Sequence, residues 1–213
     1  YCWEMVAVNT PGDTRTVGMD IGSFSRKWTQ VFQSRGRPIN VVKGEWGQSI
    51  SAAAWSEALA EGCDLALVTH NETSTGVASP LEAMCEAVRA HSPDTLIAVD
   101  GVSIAGAVDL AIDRVRPDYY LWSLQKDFSI PAIGSVMIVS DRAVETAQAV
   151  PERGYVLDLV EWVERARNCQ TPMTVPDLTI LCLIARLEEM KAEGQDRAAR
   201  HEDLTQMQRA WAG

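Results

Sequence analysis

Short aliphatic segments separated by stretches of helical periodicity constrain the fold of this chain more than any other feature. The segments DLALVT at 64–69 and LIAV at 96–99 contain no alternation of polar and apolar positions. Strands of this composition need both faces covered, which is typical of a parallel sheet with helices on either side. Helical patterns at 24–34, 51–60 and 80–90 lie between such segments. The sequence therefore predicts an α/β fold with a mostly parallel sheet flanked by helices.

Four further strands are predicted, at 14–21, 39–42, 119–123 and 136–140. The step between the last two, around Ile133 and Gly134, is too short for a helical crossover. Parallel neighbours need such a crossover, so we expect at least one antiparallel pair.

The pattern of the chain changes near residue 150. No strand pattern begins after Asp141, whereas apolar residues recur at helical spacing over 177–190, and a second helical stretch reaches Trp211. We therefore expect an α/β domain over residues 1–150 and a helical connector over residues 151–213.

Charge and composition exclude several functional classes. Among 213 residues, 19 are Lys or Arg and 29 are Asp or Glu, a formal net charge of −10, which disfavours nucleic acid and anionic membranes as partners. The five cysteines form no C-x-x-C pair and the three histidines lack metal-ligand spacing, so neither a disulfide framework nor a metal site is expected. No signal peptide or membrane-spanning apolar run is present, so the expected location is cytoplasmic.

Polar residues follow three of the predicted strands directly. These segments are HNETSTG at 70–76, DGVS at 100–103 and LQKD at 124–127. Ligands of parallel α/β sheets bind beyond the carboxyl ends of the strands, so these segments form the candidate site.

Asp100 and Lys126 indicate the chemistry of that site. A carboxylate at the end of an apolar strand is costly to desolvate unless a cation or donors meet it, and a lysine there is a candidate for covalent chemistry. Each residue alone has an ordinary alternative, a helix cap or salt bridge for Asp100 and a surface amine for Lys126. Together with the hydroxyls of 73–75, they suit a ligand with a cationic ring nitrogen, an aldehyde and an anion. Pyridoxal phosphate has all three.

Longer motifs extend this interpretation. The stretches THNETSTGV, IAVDGVS and SLQK, with PGD at 11–13, G-x-F-x-x-x-W at 22–28 and QTPMTVP at 170–176, resemble the class V aminotransferases. This family includes the serine/alanine–glyoxylate and phosphoserine aminotransferases, which have the type I pyridoxal-phosphate fold. The resemblance covers residues 8 to 209 approximately and implies that residues 1–150 form the large, cofactor-binding domain.

The resemblance implies a role for several residues in the cofactor site. Lys126 matches the lysine that forms the Schiff base, and Asp100 matches the acid that keeps the pyridine nitrogen protonated. Val102 and Phe24 match the residues against the two faces of the ring, although Phe24 could instead be an ordinary packing residue at a helix start. Thr73 matches the hydroxyl beside the phenolic oxygen.

Other matches concern the phosphate and the oligomeric state. Gln125 matches a phosphate-contacting residue, while Gln170, Thr171 and Thr174 match residues that reach a partner's phosphate, which implies a homodimer with shared active sites. An alternative role for Thr174 is capping the following helix.

The chain also departs from the family pattern. Ser123-Leu124 replaces the usual Gly-Ser before Gln-Lys, so one hydroxyl donor to the phosphate is missing or moved. The glycine-rich phosphate cup and the small C-terminal domain, with its substrate-binding arginine, are expected outside these residues. We therefore expect the chain to be a segment of a longer protein or a truncated relative.

The predicted activity is a transamination between a small amino acid (serine, alanine or phosphoserine) and a 2-oxo acid such as glyoxylate, pyruvate or 2-oxoglutarate. A phosphoserine aminotransferase of serine biosynthesis is the narrower alternative. A lyase such as a cysteine desulfurase is disfavoured because those enzymes usually have His, not Gln125, before the lysine. A catalytically degenerate, non-enzymatic paralogue is the third possibility.

Overall fold

All six predicted strands are present in the computed structural model of the protein, which describes residues 1–110 and 112–213. A short hairpin adds two more strands. In chain order the strands are β1 (Thr16–Asp20), β2 (Ile39–Lys43), β3 (Leu65–Thr69), β4 (Asn71–Glu72), β5 (Val77–Ala78), β6 (Leu96–Asp100), β7 (Tyr119–Ser123) and β8 (Ser135–Val139).

Helices fill most of the remaining described chain. In order they are α1 (Cys2–Val8), α2 (Ser23–Ser34), α3 (Ala52–Ala60), α4 (Leu81–His91), α5 (Ile112–Val115), α6 (Asp141–Gln148), α7 (Leu159–Arg167), α8 (Asp177–Glu193) and α9 (Asp196–Ala212). Several begin at a side chain that accepts backbone N–H bonds, as Ser51 does for α3, Ser140 for α6 and Asp158 for α7. None of the described helices is long and apolar enough to cross a membrane.

The described strands form a six-stranded sheet in the order β2-β1-β3-β6-β7-β8, and β4 pairs with β5 separately. All neighbours in the large sheet are parallel except β7 and β8, which are antiparallel. The prediction of a mostly parallel sheet with an antiparallel pair after Tyr119 is therefore confirmed. The short connection through Gly134 leaves a hairpin as the available geometry.

Helices cover both faces of the sheet, which explains the unbroken apolar character of β3 and β6. One face packs Ala66 and Val68 against α3 and α4, and the other packs Leu65 and Leu67 against α1, α2 and α6. All five residues of β3 are buried, as are all five of β6. Because no side of these strands meets water, polar groups are confined to the strand ends and loops.

The chain beyond residue 150 continues to contact the sheet domain through α7. Leu159 and Val160 are buried in the same cluster as residues of β3 and α6. The side chain of Asn9 accepts the Leu159 N–H at 3.0 Å and donates to the Leu157 carbonyl at 2.6 Å. These contacts join α1 to the start of α7. The division of the chain at residue 150 stays a prediction.

At the opposite edge from the candidate site, a buried aspartate fixes the start of β7. Asp118 is 2% exposed and accepts hydrogen bonds from the Ile97 N–H at 2.9 Å and the Ser140 hydroxyl at 2.7 Å. Its carboxylate also contacts Arg89 at 3.2 Å and Arg142 at 3.1 Å. One carboxylate thus links β6, β7, α4 and α6.

Asp118→Asn should reduce the free energy of unfolding by about 2 to 3 kcal/mol. Removing one partner of a buried ion pair typically costs about 3 to 5 kcal/mol, and the partial exposure of Arg89 and Arg142 lowers that figure here. Denaturant unfolding would measure it. The matched control is Asp64→Asn, whose partner Arg15 is largely exposed, with an expected loss of at most about 1 kcal/mol. Equal losses in the two variants would contradict the stabilising role of the buried Asp118 carboxylate.

Candidate functional site

The carboxyl ends of β3, β6 and β7 lie side by side in the sheet. Thr69, the last residue of β3, is in register with Asp100, the last residue of β6, and Asp100 is in register with Leu121 of β7. The segments that follow these strands therefore start at neighbouring positions on one edge, as the sequence predicts. This edge is where ligands of parallel α/β sheets bind.

Asp100 is a buried carboxylate, 4% exposed. Its Oδ1 accepts the Val102 N–H at 2.8 Å and its Oδ2 accepts the Trp3 indole N–H at 2.9 Å. Burial raises the pKa of Asp100 to about 6, against the lowering effect of these two hydrogen bonds. No cationic side chain in the described part of the chain forms an ion pair with it, so the site can accept a cationic ligand group.

Lys126 lies three residues beyond the end of β7, in a turn, and is partly exposed. Within residues 1–110 and 112–213, its amine has no hydrogen-bond or ion-pair partner, so it is available for covalent chemistry. Gln125 beside it is exposed. The carbonyl oxygen of Lys126 accepts the Ser129 N–H at 2.9 Å, which closes the turn.

The segments after β3 and β6 are joined by hydroxyl and amide groups. Thr73 donates from Oγ1 to the Ser103 hydroxyl at 2.7 Å, and the Asn71 amide contacts the same hydroxyl at 3.0 Å. Thr73 is exposed as a residue. Val102 is partly buried and packs on the cluster between the sheet and α1.

Glu72 is a structural determinant of the site that the sequence analysis did not identify. It is fully buried and accepts the N–H groups of Phe24 at 3.1 Å and Ser25 at 2.8 Å, together with the hydroxyl and N–H of Ser74. Burial by itself raises the pKa of Glu72, but these donors outweigh it and the pKa is lowered. A Cβ on Gly22 would lie 2.4 Å from the Glu72 Cγ, so only glycine fits there. Glu72 thereby anchors the first turn of α2.

Phe24, in that first turn, is 36% exposed. The Lys27 amine lies 5.1 Å from its ring centroid. The backbone of Phe24 is fixed by Glu72 while its ring remains partly open to solvent. An aromatic ring held in this way can stack on a planar ligand.

His70 directly follows β3 and is buried. Its Nδ1 lies 3.2 Å from the Tyr120 hydroxyl, and burial lowers the pKa of His70 to about 4. The imidazole is therefore neutral at neutral pH. A Cβ on Gly101 would lie 2.2 Å from the Tyr120 hydroxyl, which explains the glycine after Asp100.

Arg197 connects the distant helix α9 to the loop that contains Lys126. Its guanidinium is 7% exposed, donates to the Asp127 carbonyl at 2.8 Å and also contacts the Gly106 carbonyl and Glu193. No local motif marks the role of this residue at the site, because the two carbonyls that it contacts are 70 and 91 positions away in the sequence. Arg197 holds the backbone immediately after Lys126.

Gln170, Thr171 and Thr174 lie between α7 and α8 and are exposed. Thr171 donates to the Met173 carbonyl at 2.7 Å, and the Gln170 side chain contacts Arg165 at 3.4 Å. Helix α8 begins after Pro176 without a side-chain cap, so the alternative that Thr174 caps this helix is wrong. Their predicted role in a partner's site stays a prediction.

The chemistry of these residues fits pyridoxal phosphate. Asp100 supplies a buried anion with spare lone pairs, and Phe24 supplies an aromatic face. Lys126 supplies an amine that no described residue pairs with. Among the described residues, no group of three or more His, Cys, Asp or Glu side chains is arranged to bind a metal ion.

Asp100→Asn should alter the pH dependence of the unfolding free energy of the ligand-free protein. The pKa of Asp100 rises from 3.8 to about 6 on folding, so the folded state binds this proton more tightly than the unfolded chain. Protonation of Asp100 therefore contributes to the free energy of unfolding in full below pH 3.8, and this contribution is lost as the pH rises to about 6. The total loss is about 3 kcal/mol. Asp100→Asn should lack this component.

Chemical denaturation at several pH values would measure the difference. Only its change with pH is diagnostic, because the loss of an acceptor oxygen adds a constant offset. Asp94→Asn, which replaces an exposed carboxylate, is the matched control and should follow the unmodified protein. If the free energy of unfolding of Asp100→Asn and of the unmodified protein changed in parallel with pH, the raised pKa of Asp100 would be contradicted.

Comparison with known proteins identifies the family that this chain resembles. The profile of the aminotransferase class-V family matches residues 6–207. An L-aspartate–glyoxylate aminotransferase from Paracoccus denitrificans is 31% identical over 215 residues, covering 98% of this chain and 54% of the relative. A protein from Anabaena cylindrica named soluble hydrogenase 42 kDa subunit is 31% identical over 203 residues, covering 93% and 52%.

A solved structure agrees with these matches. The phosphoserine aminotransferase of Cytophaga hutchinsonii superposes with a TM-score of 0.81 at 27% identity, over 92% of this chain and 54% of that one. The chain spans about half the length of the curated relatives it matches. The family match nevertheless includes every described strand, together with Asp100 and Lys126. This chain belongs to the class V aminotransferases, a family of pyridoxal-phosphate-dependent enzymes.

Proposed function

We propose that the protein is a transaminase that uses pyridoxal phosphate to move an amino group between a small amino acid and a 2-oxo acid. The observation that supports this most directly is the buried carboxylate of Asp100, on the strand next to the one that leads to the Lys126 amine. Neither group has an ion-pair partner within residues 1–110 and 112–213. When bound, the cofactor supplies an electron sink for the bonds at the substrate α-carbon.

Asp100 holds the charge on the ring nitrogen in this proposal. Each carboxylate oxygen has accepted one hydrogen bond from the protein and retains a further lone pair. An ionised carboxylate in this buried position stabilises a protonated ring nitrogen, because the low local polarity strengthens their attraction. The same burial excludes water from the pair.

Lys126 would hold the cofactor aldehyde through its amine and would act as the base that takes a proton from the substrate α-carbon. Both tasks need an amine without a competing ion pair, and Lys126 meets that condition within the described residues. The contact of Arg197 with the Asp127 carbonyl restrains the backbone next to Lys126.

The remaining residues position the ring and the phosphate. Phe24 and Val102 lie against its two faces, and Thr73 places a hydroxyl beside the phenolic oxygen. Gln125 contacts the phosphate. This arrangement is supported by the exposure of Phe24, Thr73 and Gln125, which all follow the carboxyl ends of strands in the same sheet.

The substrates are a small amino acid, namely serine, alanine or phosphoserine, and a 2-oxo acid such as glyoxylate, pyruvate or 2-oxoglutarate. The name of the Paracoccus relative supports glyoxylate as acceptor, and the solved phosphoserine aminotransferase supports phosphoserine as the narrower alternative. The chain spans about half the length of these two relatives, so both substrates belong to the proposal.

One observation favours a second candidate, a family member without enzymatic activity. Leu124 stands where the family has a hydroxyl donor to the phosphate, and its side chain is 3% exposed within the core. A buried leucine cannot supply that hydrogen bond. Between an active transaminase and an inactive family member stands a protein that binds the phosphate more weakly and keeps Asp100 and Lys126.

Lys126→Ala should abolish covalent attachment of the cofactor. Reduction with borohydride in the presence of pyridoxal phosphate should label the peptide that contains Lys126, because only an amine bonded to the aldehyde is fixed by reduction. Lys43→Ala is the matched control and should be labelled normally. Peptide mass spectrometry and visible absorbance measure both variants. Label on Lys43 or Lys191 instead would refute the assignment, and absence of any label would favour the non-enzymatic candidate.

We further propose a homodimer in which Gln170, Thr171 and Thr174 reach the partner's phosphate. These side chains are exposed and precede helix α8. The outward apolar side chains of that helix support an interface, since large exposed apolar patches mark contact surfaces. The most exposed of them are Leu178, Leu181, Ile184 and Leu187.

Mixing two variants would test the shared site. Thr174→Ala alone should weaken cofactor binding about tenfold or more, because a hydrogen bond to a charged group is lost. In heterodimers with Lys126→Ala subunits, one site should combine both defects and the other should combine neither. A random equal mixture should therefore restore normal affinity at about half of the sites that retain Lys126. No restored sites would show that Thr174 acts within its own subunit or not at all.

A further inference from the structure

Trp3 is the side chain in direct contact with Asp100 that no family motif explains. Its indole N–H donates to the Asp100 Oδ2 at 2.9 Å, across 97 positions of sequence. The indole also stacks on Trp28, with ring centroids 6.2 Å apart and planes inclined by 18°. Trp28 is 1% exposed, so the stack is built on a rigid partner. The indole is thus held by packing, and its N–H points at one carboxylate oxygen.

The two donors to Asp100 fix the carboxylate in one orientation. The backbone N–H of Val102 holds Oδ1 and the indole of Trp3 holds Oδ2, and in the described residues no other donor contacts this carboxylate. Because an oxygen of a carboxylate can accept two hydrogen bonds, the indole leaves room for a ring N–H on the same atom.

The indole also opposes the effect of burial. Removing a carboxylate from water favours its neutral form, and a neutral acid cannot stabilise a protonated ring nitrogen. Hydrogen bonds to the ionised form act in the other direction, and the Trp3 contact lowers the pKa of Asp100 in this way. The Val102 N–H belongs to the backbone, so Trp3 is the donor that the sequence can vary.

We propose that Trp3 is a positioning residue for Asp100: its indole N–H holds the carboxylate ionised and oriented toward the nitrogen of the cofactor ring. This inference rests on the proposed function, because it requires the ring nitrogen to lie at Asp100. Trp3 itself touches neither the cofactor nor the substrate in this arrangement. Its effect is on the distribution of the proton between Asp100 and the ring nitrogen.

The chain supplies a matched control in Trp28. Its indole N–H is buried and has no hydrogen-bond partner within the described residues. Trp28→Phe therefore removes an indole N–H and preserves an aromatic stack, as Trp3→Phe does, but leaves Asp100 with both donors. A purely structural role of the stack would affect both variants alike. Trp3→Met, which is apolar and lacks a donor, is the second variant if the phenyl ring disturbs folding.

The first measurement uses the ligand-free protein. Carbon-13 NMR of labelled aspartate should show the pKa of Asp100 higher by about one unit or more in Trp3→Phe, because a hydrogen bond to the charged form is lost. Trp28→Phe should leave the Asp100 titration unchanged. An unchanged titration in Trp3→Phe, or equal shifts in the two variants, would overturn the inference without involving the cofactor.

The second measurement uses the protein bound to pyridoxal phosphate labelled with nitrogen-15 in the ring. In Trp3→Phe the ring nitrogen resonance should move toward that of unprotonated pyridine, since a more basic Asp100 draws the proton to itself. Trp28→Phe and the unmodified protein should agree. An unmoved resonance in Trp3→Phe would overturn the inference while the proposed function stands. If the unmodified protein binds no cofactor, or Asp100→Asn leaves the resonance unchanged, both proposals fail.

Discussion

Burial of both faces of β3 and β6 is the constraint on which the rest of this structure depends. Their side chains alternate between two helix layers, so the positions before the last residue of each strand are apolar. A polar group on either strand has a place only at an end, where donors or a ligand can meet it. The site at the carboxyl edge and the Asp118 cluster at the opposite edge are both consequences of this arrangement. One edge stabilises the sheet, and the other leaves a carboxylate without a cationic partner among the described residues.

The candidate site is assembled from segments that are far apart in the chain but adjacent in the sheet. Glu72 fixes the first turn of α2, and Trp3 on α1 fixes the Asp100 carboxylate. Arg197 on α9 fixes the backbone after Lys126. Trp3 and Arg197 lie outside the motifs of the sequence analysis, whereas Glu72 lies within one and restrains another. Preorganisation of this kind means that the charged and reactive groups need little rearrangement when a ligand binds.

The helices at the end of the chain contact the site domain and also present apolar side chains outward. Helix α7 is packed on the sheet through Leu159, and α9 reaches the site through Arg197. The large apolar residues of α8 are mostly exposed, although their spacing in the sequence is typical of a helix with a buried face. A helical pattern reports that an apolar face will be covered, but it does not say by what.

The sequence by itself determined the strands, their mostly parallel arrangement and the family. Runs such as DLALVT need two covering layers, and the polar residues after them can lie only at the sheet edge. It also singled out Asp100 and Lys126, because a carboxylate and a lysine after apolar strands are unusual. Only the tertiary structure decided which distant side chains support the site. Trp3, Glu72 and Arg197 act over separations of 97, 47 and 70 positions, and such contacts leave no periodicity or spacing in the sequence to be recognised.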